Sequence, residues 1–206
     1  MVETVHKQVL ITGGAGFIGS HLAGYLVDRG YGVSVMDNLV RRGAELNIPE
    51  FRKKGIRFFH GDIRCTEDFD RIPQDVDLLI ECSAQPSVVS GYGNPRFDIN
   101  NNLNGTLECL EFCRRKNAGM VFFSTNRVYS ADRLNSLPIR ETDTRFDYDP
   151  SNGTKIQGFD PYFGISADFC LNGGHKSIYG VSKAAADLLC QEWATAFDMP
   201  IVINRC

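Results

Sequence analysis

Short runs of β-branched and other apolar residues recur along the chain. They alternate with longer stretches in which apolar positions return every three or four residues. The short runs predict strands over residues 8–12, 32–36, 56–60, 78–82, 120–124 and 201–204. The periodic stretches predict helices over 17–29, 103–116 and 177–197. Strands alternating with helices imply parallel βαβ units, hence an α/β fold with a doubly wound parallel sheet. The 206 residues suffice for one domain with a full core. Residues 130–176 break the alternation. They are rich in Asp, Asn, Gly, Pro and aromatics, as in Phe146-Asp147-Tyr148-Asp149-Pro150 and Phe159-Asp160-Pro161-Tyr162-Phe163. So long a connection is unusual in a compact domain and is commonly functional, so this stretch is expected to be an insert beside an active site. The last run, ending at Cys206, reads as a strand just completed, and the ligand-facing loop that should follow it is expected beyond the chain.

Composition narrows the classes. The net charge of −3 comes from mixed signs, which suggests no nucleic-acid or polyanion partner. The seven cysteines form no Cys-x-x-Cys pair, and Cys109 and Cys113 stand one helical turn apart as small apolar residues do. This usage points to a reducing, cytoplasmic compartment rather than a disulfide framework. The opening residues carry no signal-peptide core, and no apolar run approaches a membrane span. His6, His21, His60 and His175 are scattered without metal-ligand spacing, so a structural or surface role is expected for each and no metal is expected.

Two patterns carry chemistry. Gly13, Gly16 and Gly19 are spaced Gly-x-x-Gly-x-x-Gly between a strand and a helix start. The first allows a tight turn, the second lets backbone approach a pyrophosphate, and the third permits close helix–strand packing. The helix N-terminus then offers N–H groups and a favourable dipole to phosphates. The second strand ends at Asp37, placed to accept hydrogen bonds from an adenosine ribose. Its charge favours NAD over NADP, while Arg41 and Arg42 read as a solvated loop. Far downstream, Tyr179 and Lys183 lie four apart on one helix face. There an ammonium can favour the phenolate, so the phenol can act as an acid or base near neutral pH.

With both motifs present, the chain resembles the extended short-chain dehydrogenase/reductase family, the NAD-dependent nucleotide-sugar epimerases and dehydratases, over essentially its whole length. Phe59-His60-Gly61-Asp62-Ile63-Arg64 resembles the family segment that touches adenine, and Asn102-Leu103-Asn104-Gly105-Thr106 its turn near the nicotinamide. Phe123-Ser124-Thr125-Asn126-Arg127-Val128-Tyr129 is similar to its active-site strand end. The resemblance implies a Rossmann domain over residues 1–206, with a substrate lobe expected after residue 206. It implies NAD held by Gly13, Gly16, Phe17, Ile18, Gly19, Asp37, Asn38, Asp62, Ile63, Cys82, Ser83, Ala84, Asn102, Ser124, Tyr179 and Lys183. The catalytic set it implies is Thr125, Tyr179 and Lys183, acting on a nucleotide sugar. It also implies a homodimer, through pairing of the helices at 103–116 and 177–197.

The chain departs from the family at Glu81-Cys82-Ser83-Ala84-Gln85, where the family usually has His-apolar-Ala-Ala/Gly, and at Ser130, where it usually has Gly. Family dehydratases carry Asp-Glu after the active-site Thr; Asn126-Arg127 here argues against dehydration. With the long aromatic insert, this looks most like the members that invert C2 of a CDP-linked dideoxyhexose through a transient ketone. The alternatives are a UDP-sugar 4-epimerase and a relative that binds NAD without catalysis.

Overall fold

The computed structural model describes residues 7–72, 75–153 and 155–206, so His6 lies outside the described residues. The chain runs β1 (Gln8–Thr12), α1 (Phe17–Val27), β2 (Gly32–Asp37), α2 (Ile48–Lys53), β3 (Arg57–His60), α3 (Thr66–Phe69), β4 (Leu78–Glu81), α4 (Val88–Gly93), α5 (Pro95–Ile99), α6 (Gly105–Lys116) and β5 (Gly119–Ser124). It continues through α7 (Ala131–Asn135), β6 (Ile139–Glu141), β7 (Phe146–Tyr148), β8 (Phe159–Asp160), β9 (Gly164–Ile165), α8 (Ile178–Ala196) and β10 (Ile201–Arg205). Six strands form one parallel sheet in the order β3-β2-β1-β4-β5-β10. The order reverses between β1 and β4, which is where α/β sheets open a crevice.

Alternate strand residues face opposite sides of the sheet. Leu10, Leu79, Met120 and Phe122 pack with Cys109, Leu110, Phe112, Ala186 and Cys190 of α6 and α8. Val9, Ile11, Val35 and Ile80 pack with Ala23 and Phe51 on the other face. Because both faces are covered, the strands read as nearly continuous apolar runs.

The boundaries differ from the sequence reading in instructive places. Strand β2 continues to Asp37, and β4 stops at Glu81. Helix α1 stops at Val27, and α6 begins at Gly105 after a wider π-type turn at Asn100–Asn104. Short helices α4 and α5, unseen in the periodicity, are capped by Ser87 and Asn94, whose side chains accept from Ser90 N and Phe97 N.

Residues 130–176 form two small antiparallel hairpins, β6–β7 and β8–β9. Their own apolar cluster joins Val128, Tyr129, Leu137 and Phe169 to Tyr148, Phe159 and Ala184 of α8. Ala131 N donates to the His175 carbonyl at 3.0 Å, closing the base of the excursion. Ser130 is fully buried and caps α7, its Oγ accepting from Arg133 N at 3.4 Å. All seven cysteines are free thiols. Among the described residues no helix is long and apolar enough to cross a membrane.

Candidate active site

A cleft of about 1120 Å³ opens beyond the carboxyl ends of β1, β4 and β5. One wall is the turn from β1 to α1. Gly13 has φ +62°, and a Cβ there would fall 2.6 Å from the Cys82 carbonyl carbon. A Cβ on Gly19 would fall 2.5 Å from the Gly14 Cα. Glycine is therefore required at both positions for the turn to lie against β4 and for α1 to lie against the turn. Gly16 caps α1 without a side chain, so the N–H groups of the first turn lack intrahelical partners. Phe17 and Ile18 are exposed at the rim.

The Asp37 carboxylate stands at the end of β2. Its Oδ2 accepts from Ala15 N at 3.0 Å and its Oδ1 from Leu39 N at 2.8 Å. It thereby fixes the glycine turn as well as facing the cleft. Asn38 donates to Asp62 Oδ2 at 2.9 Å. Arg64 grips the same carboxylate, from Nε at 2.8 Å and Nη2 at 2.6 Å. The Arg64 hydrogen bond, more than any other group, holds the Asp62 carboxyl well below the usual carboxylate range.

The opposite wall is built from side chains. Tyr179 and Lys183, in the first half of α8, are both buried, as are Ser124 and Thr125 at the end of β5. Burial pushes the Tyr179 phenol up, the facing Thr125 hydroxyl pulls it down, Asp98 pushes it up and the Arg127 guanidinium pulls it down. Lys183, one turn along α8 from Tyr179, seats its ammonium 3.9 Å from the centre of the Phe122 ring. Burial lowers the Lys183 pKa and Glu81 works against that. Glu81, at the end of β4, is itself pushed up to about 7 by burial, against the pull of Lys183 and Thr106. Burial also pushes the Cys82 thiol up to about 12, which leaves it inert as a nucleophile near neutral pH.

Of the residues expected to touch cofactor or substrate, Gly13, Gly16, Phe17, Ile18, Gly19, Asp37, Asn38, Ile63, Cys82, Ser83, Ala84, Ser124, Thr125, Tyr179 and Lys183 all line the cleft. Asp62 and Asn102 stand behind the lining. Asp62 holds Asn38 in place. Asn102 accepts from Gln85 N at 2.8 Å and donates to Ser182 Oγ at 3.0 Å, which donates to the Tyr179 carbonyl at 2.8 Å.

Sequence reasoning missed the reach of Gln85. Its Oε1 accepts from Arg41 Nη2 at 3.0 Å, and its Nε2 donates to Asp98 Oδ1 at 3.1 Å. Arg41, read as solvated, therefore links the β2 loop to the Tyr179 wall. Its partner lies 44 positions away, and no local pattern announces it.

Comparison with known proteins agrees with this cleft. Residues 9–154 match the NAD dependent epimerase/dehydratase family. The chain is 34% identical over 203 residues to the CDP-paratose 2-epimerase of Salmonella typhi, covering 96% of this chain and 56% of that one. It is 32% identical over 158 residues to a putative UDP-glucose 4-epimerase of Methanocaldococcus jannaschii, covering 76% and 48%. Among solved structures it resembles the Thermus thermophilus UDP-glucose 4-epimerase in complex with NAD, with TM-score 0.68 and 28% identity over 96% of this chain and 54% of that one. The chain thus spans about half the length of the curated relatives it matches.

Proposed function

Because the chain belongs to the NAD dependent epimerase/dehydratase family, we propose that it carries the cofactor-binding and catalytic half of a nucleotide-sugar epimerase. The observation that carries this reading is the shared cleft. The Tyr179 phenol, faced by Thr125 and with Lys183 one turn along α8, opens into the same space as the glycine turn.

The residues present fit NAD. The cradle at Gly13 and Gly19 has no room for a Cβ, and the first turn of α1 offers N–H groups to a pyrophosphate. Asp37 keeps lone pairs for ribose hydroxyls, and Ile63 would offer the adenine an apolar contact. Lys183 and Tyr179 would hold the nicotinamide ribose. Bound NAD supplies a reversible hydride acceptor.

Tyr179 takes the proton of a sugar hydroxyl and later returns one. Thr125 aligns that hydroxyl, and the Lys183 ammonium, with a smaller pull from Arg127, favours the phenolate that the exchange requires. Asn126 and Arg127 offer no carboxylate pair for eliminating water, so the site is suited to inversion rather than dehydration. The substrate we favour is a CDP-linked dideoxyhexose inverted at C2, supported by the 34% identity to the Salmonella typhi enzyme. Inversion at C4 of a UDP-sugar is the second reading, supported by the Thermus thermophilus structure. Thermal melting of the full-length protein with each nucleotide sugar separates them, since binding stabilises by mass action. A shift with the CDP-sugar alone is expected; a shift with the UDP-sugar alone replaces the substrate.

The free thiols fit a reducing compartment such as the cytoplasm. On α8, Val181 and Leu188 stay exposed beside half-buried Leu189 and Trp193. We read this face as one side of a homodimer. Light scattering showing only monomer at micromolar concentration would remove that reading.

A further inference from the structure

Beneath the cleft, three neighbouring strands place Thr12, Glu81 and Phe122 side by side in register. All three are at most 1% exposed and face α6 and α8. Glu81 Oε1 lies 2.8 Å from the Thr106 hydroxyl, which is also 2.8 Å from the Asn102 carbonyl. That hydroxyl has one proton for two acceptors. Among the described residues, the buried Glu81 Oε2 has no hydrogen-bond partner. An orphaned carboxylate oxygen is costly unless a charge answers it. The cation over this floor is Lys183, seated on the Phe122 ring next in register to Glu81.

We propose that Glu81 is a positioning residue: its buried carboxylate keeps the Lys183 ammonium charged and seated on Phe122, one turn along α8 from Tyr179. The proposal rests on the epimerase reading for its catalytic meaning, though not for its electrostatics. A buried lysine without a counter-charge tends to lose its proton, and a neutral amine gives a phenolate nothing. The other titratable groups near Glu81 are thiols: Cys190 on α8, Cys109 and Cys113 on α6, and Cys82, the next residue in the chain. Burial raises the pKa of each, so each is neutral near pH 7. Asp187 is the further charge acting on Lys183 from α8, and Arg205 neutralises it at 2.9 Å. Among the described residues, Glu81 is thus the acid of this floor whose charge Lys183 alone answers. When it is protonated, it can donate to Thr106 while Thr106 donates to the Asn102 carbonyl. When it is ionised, it competes for the Thr106 proton.

The test is carbon NMR of the full-length protein labelled with ¹³Cε-lysine, with Lys183 assigned by the signal lost in Lys183→Met. In Glu81→Gln, which keeps an acceptor for Thr106, the proton affinity of Lys183 should fall about tenfold or more. Glu81→Asp should recover part of it. In the wild type, the Lys183 signal should also show a step near pH 7 as Glu81 ionises, so the proposal stays testable even if the variant does not fold. Equal midpoints in wild type and Glu81→Gln, or in the absence of that variant a wild-type trace featureless through neutrality, would overturn it. If the coupling is seen but Lys183→Met turns over normally, the coupling stands and the epimerase reading fails.

Discussion

The wall of the cleft formed by β1, α1 and β2 presents backbone, whereas the wall formed by β4, β5 and α8 presents buried side chains. On the first wall, specificity lies in what is missing: no Cβ fits at Gly13 or Gly19, and the helix N–H groups stay open. On the second, it lies in what burial does to chemistry. Tyr179 and Glu81 are pushed up and Lys183 is pushed down, each answered by a neighbour. A backbone wall can bind a ligand without reacting with it. Under the proposed function the side-chain wall moves a proton, and the first wall brings the cofactor within its reach.

This contrast makes the two walls separable by mutation. The largest effect is expected on the side-chain wall. Tyr179→Phe keeps the ring and its packing but removes the proton carrier. Turnover should fall about a hundred- to ten-thousandfold, while NAD affinity by calorimetry, carried chiefly by the other wall, falls far less. A comparable loss of both would show that the walls are not independent. A smaller effect is expected on the backbone wall. Gly13→Ala forces a side chain into a left-handed conformation and against the Cys82 backbone. Strain of this kind costs about 1–3 kcal/mol. It should appear as a lowered melting temperature and weaker NAD binding, with the turnover of the NAD-saturated enzyme largely kept. Unchanged melting and affinity would mean that the turn is looser than its packing implies.

The walls also differ in how far the sequence revealed them. Gly13, Gly16 and Gly19 were legible because turn, helix start and acid all lie within 25 residues of chain, and each glycine has a local reason. The sheet was legible for the same reason, its strands being short apolar runs set apart by periodic stretches. On the other wall the spacing of Tyr179 and Lys183 was visible, but not the direction of Lys183. Where its ammonium goes depends on Phe122 and Glu81, which come from two other strands. Glu81 reads in sequence only as an acid ending an apolar run. Its meaning comes from Thr12 and Phe122 beside it in register and from Thr106 above it. The insert was legible as an insert and opaque in form, because its strands are only two or three residues long. Contacts such as the one between Tyr129 and Phe169, with ring centres 5.4 Å apart, hold them rather than local propensity. Helices α4 and α5 had signals in Ser87, Asn94 and Pro95, but each is too short to show a period.

If this cleft inverts a sugar carbon as proposed, a hydroxyl proton passes through Tyr179 while the hydrogen on carbon never meets water. The decisive measurement uses a nucleotide sugar deuterated at the reacting carbon, taken as C2 of a CDP-linked dideoxyhexose, turned over by the full-length protein in ordinary water. The inverted product is expected to keep its deuterium on that carbon. Deuterium lost to solvent in step with inversion would show that the carbon itself is deprotonated, and would contradict the proposal.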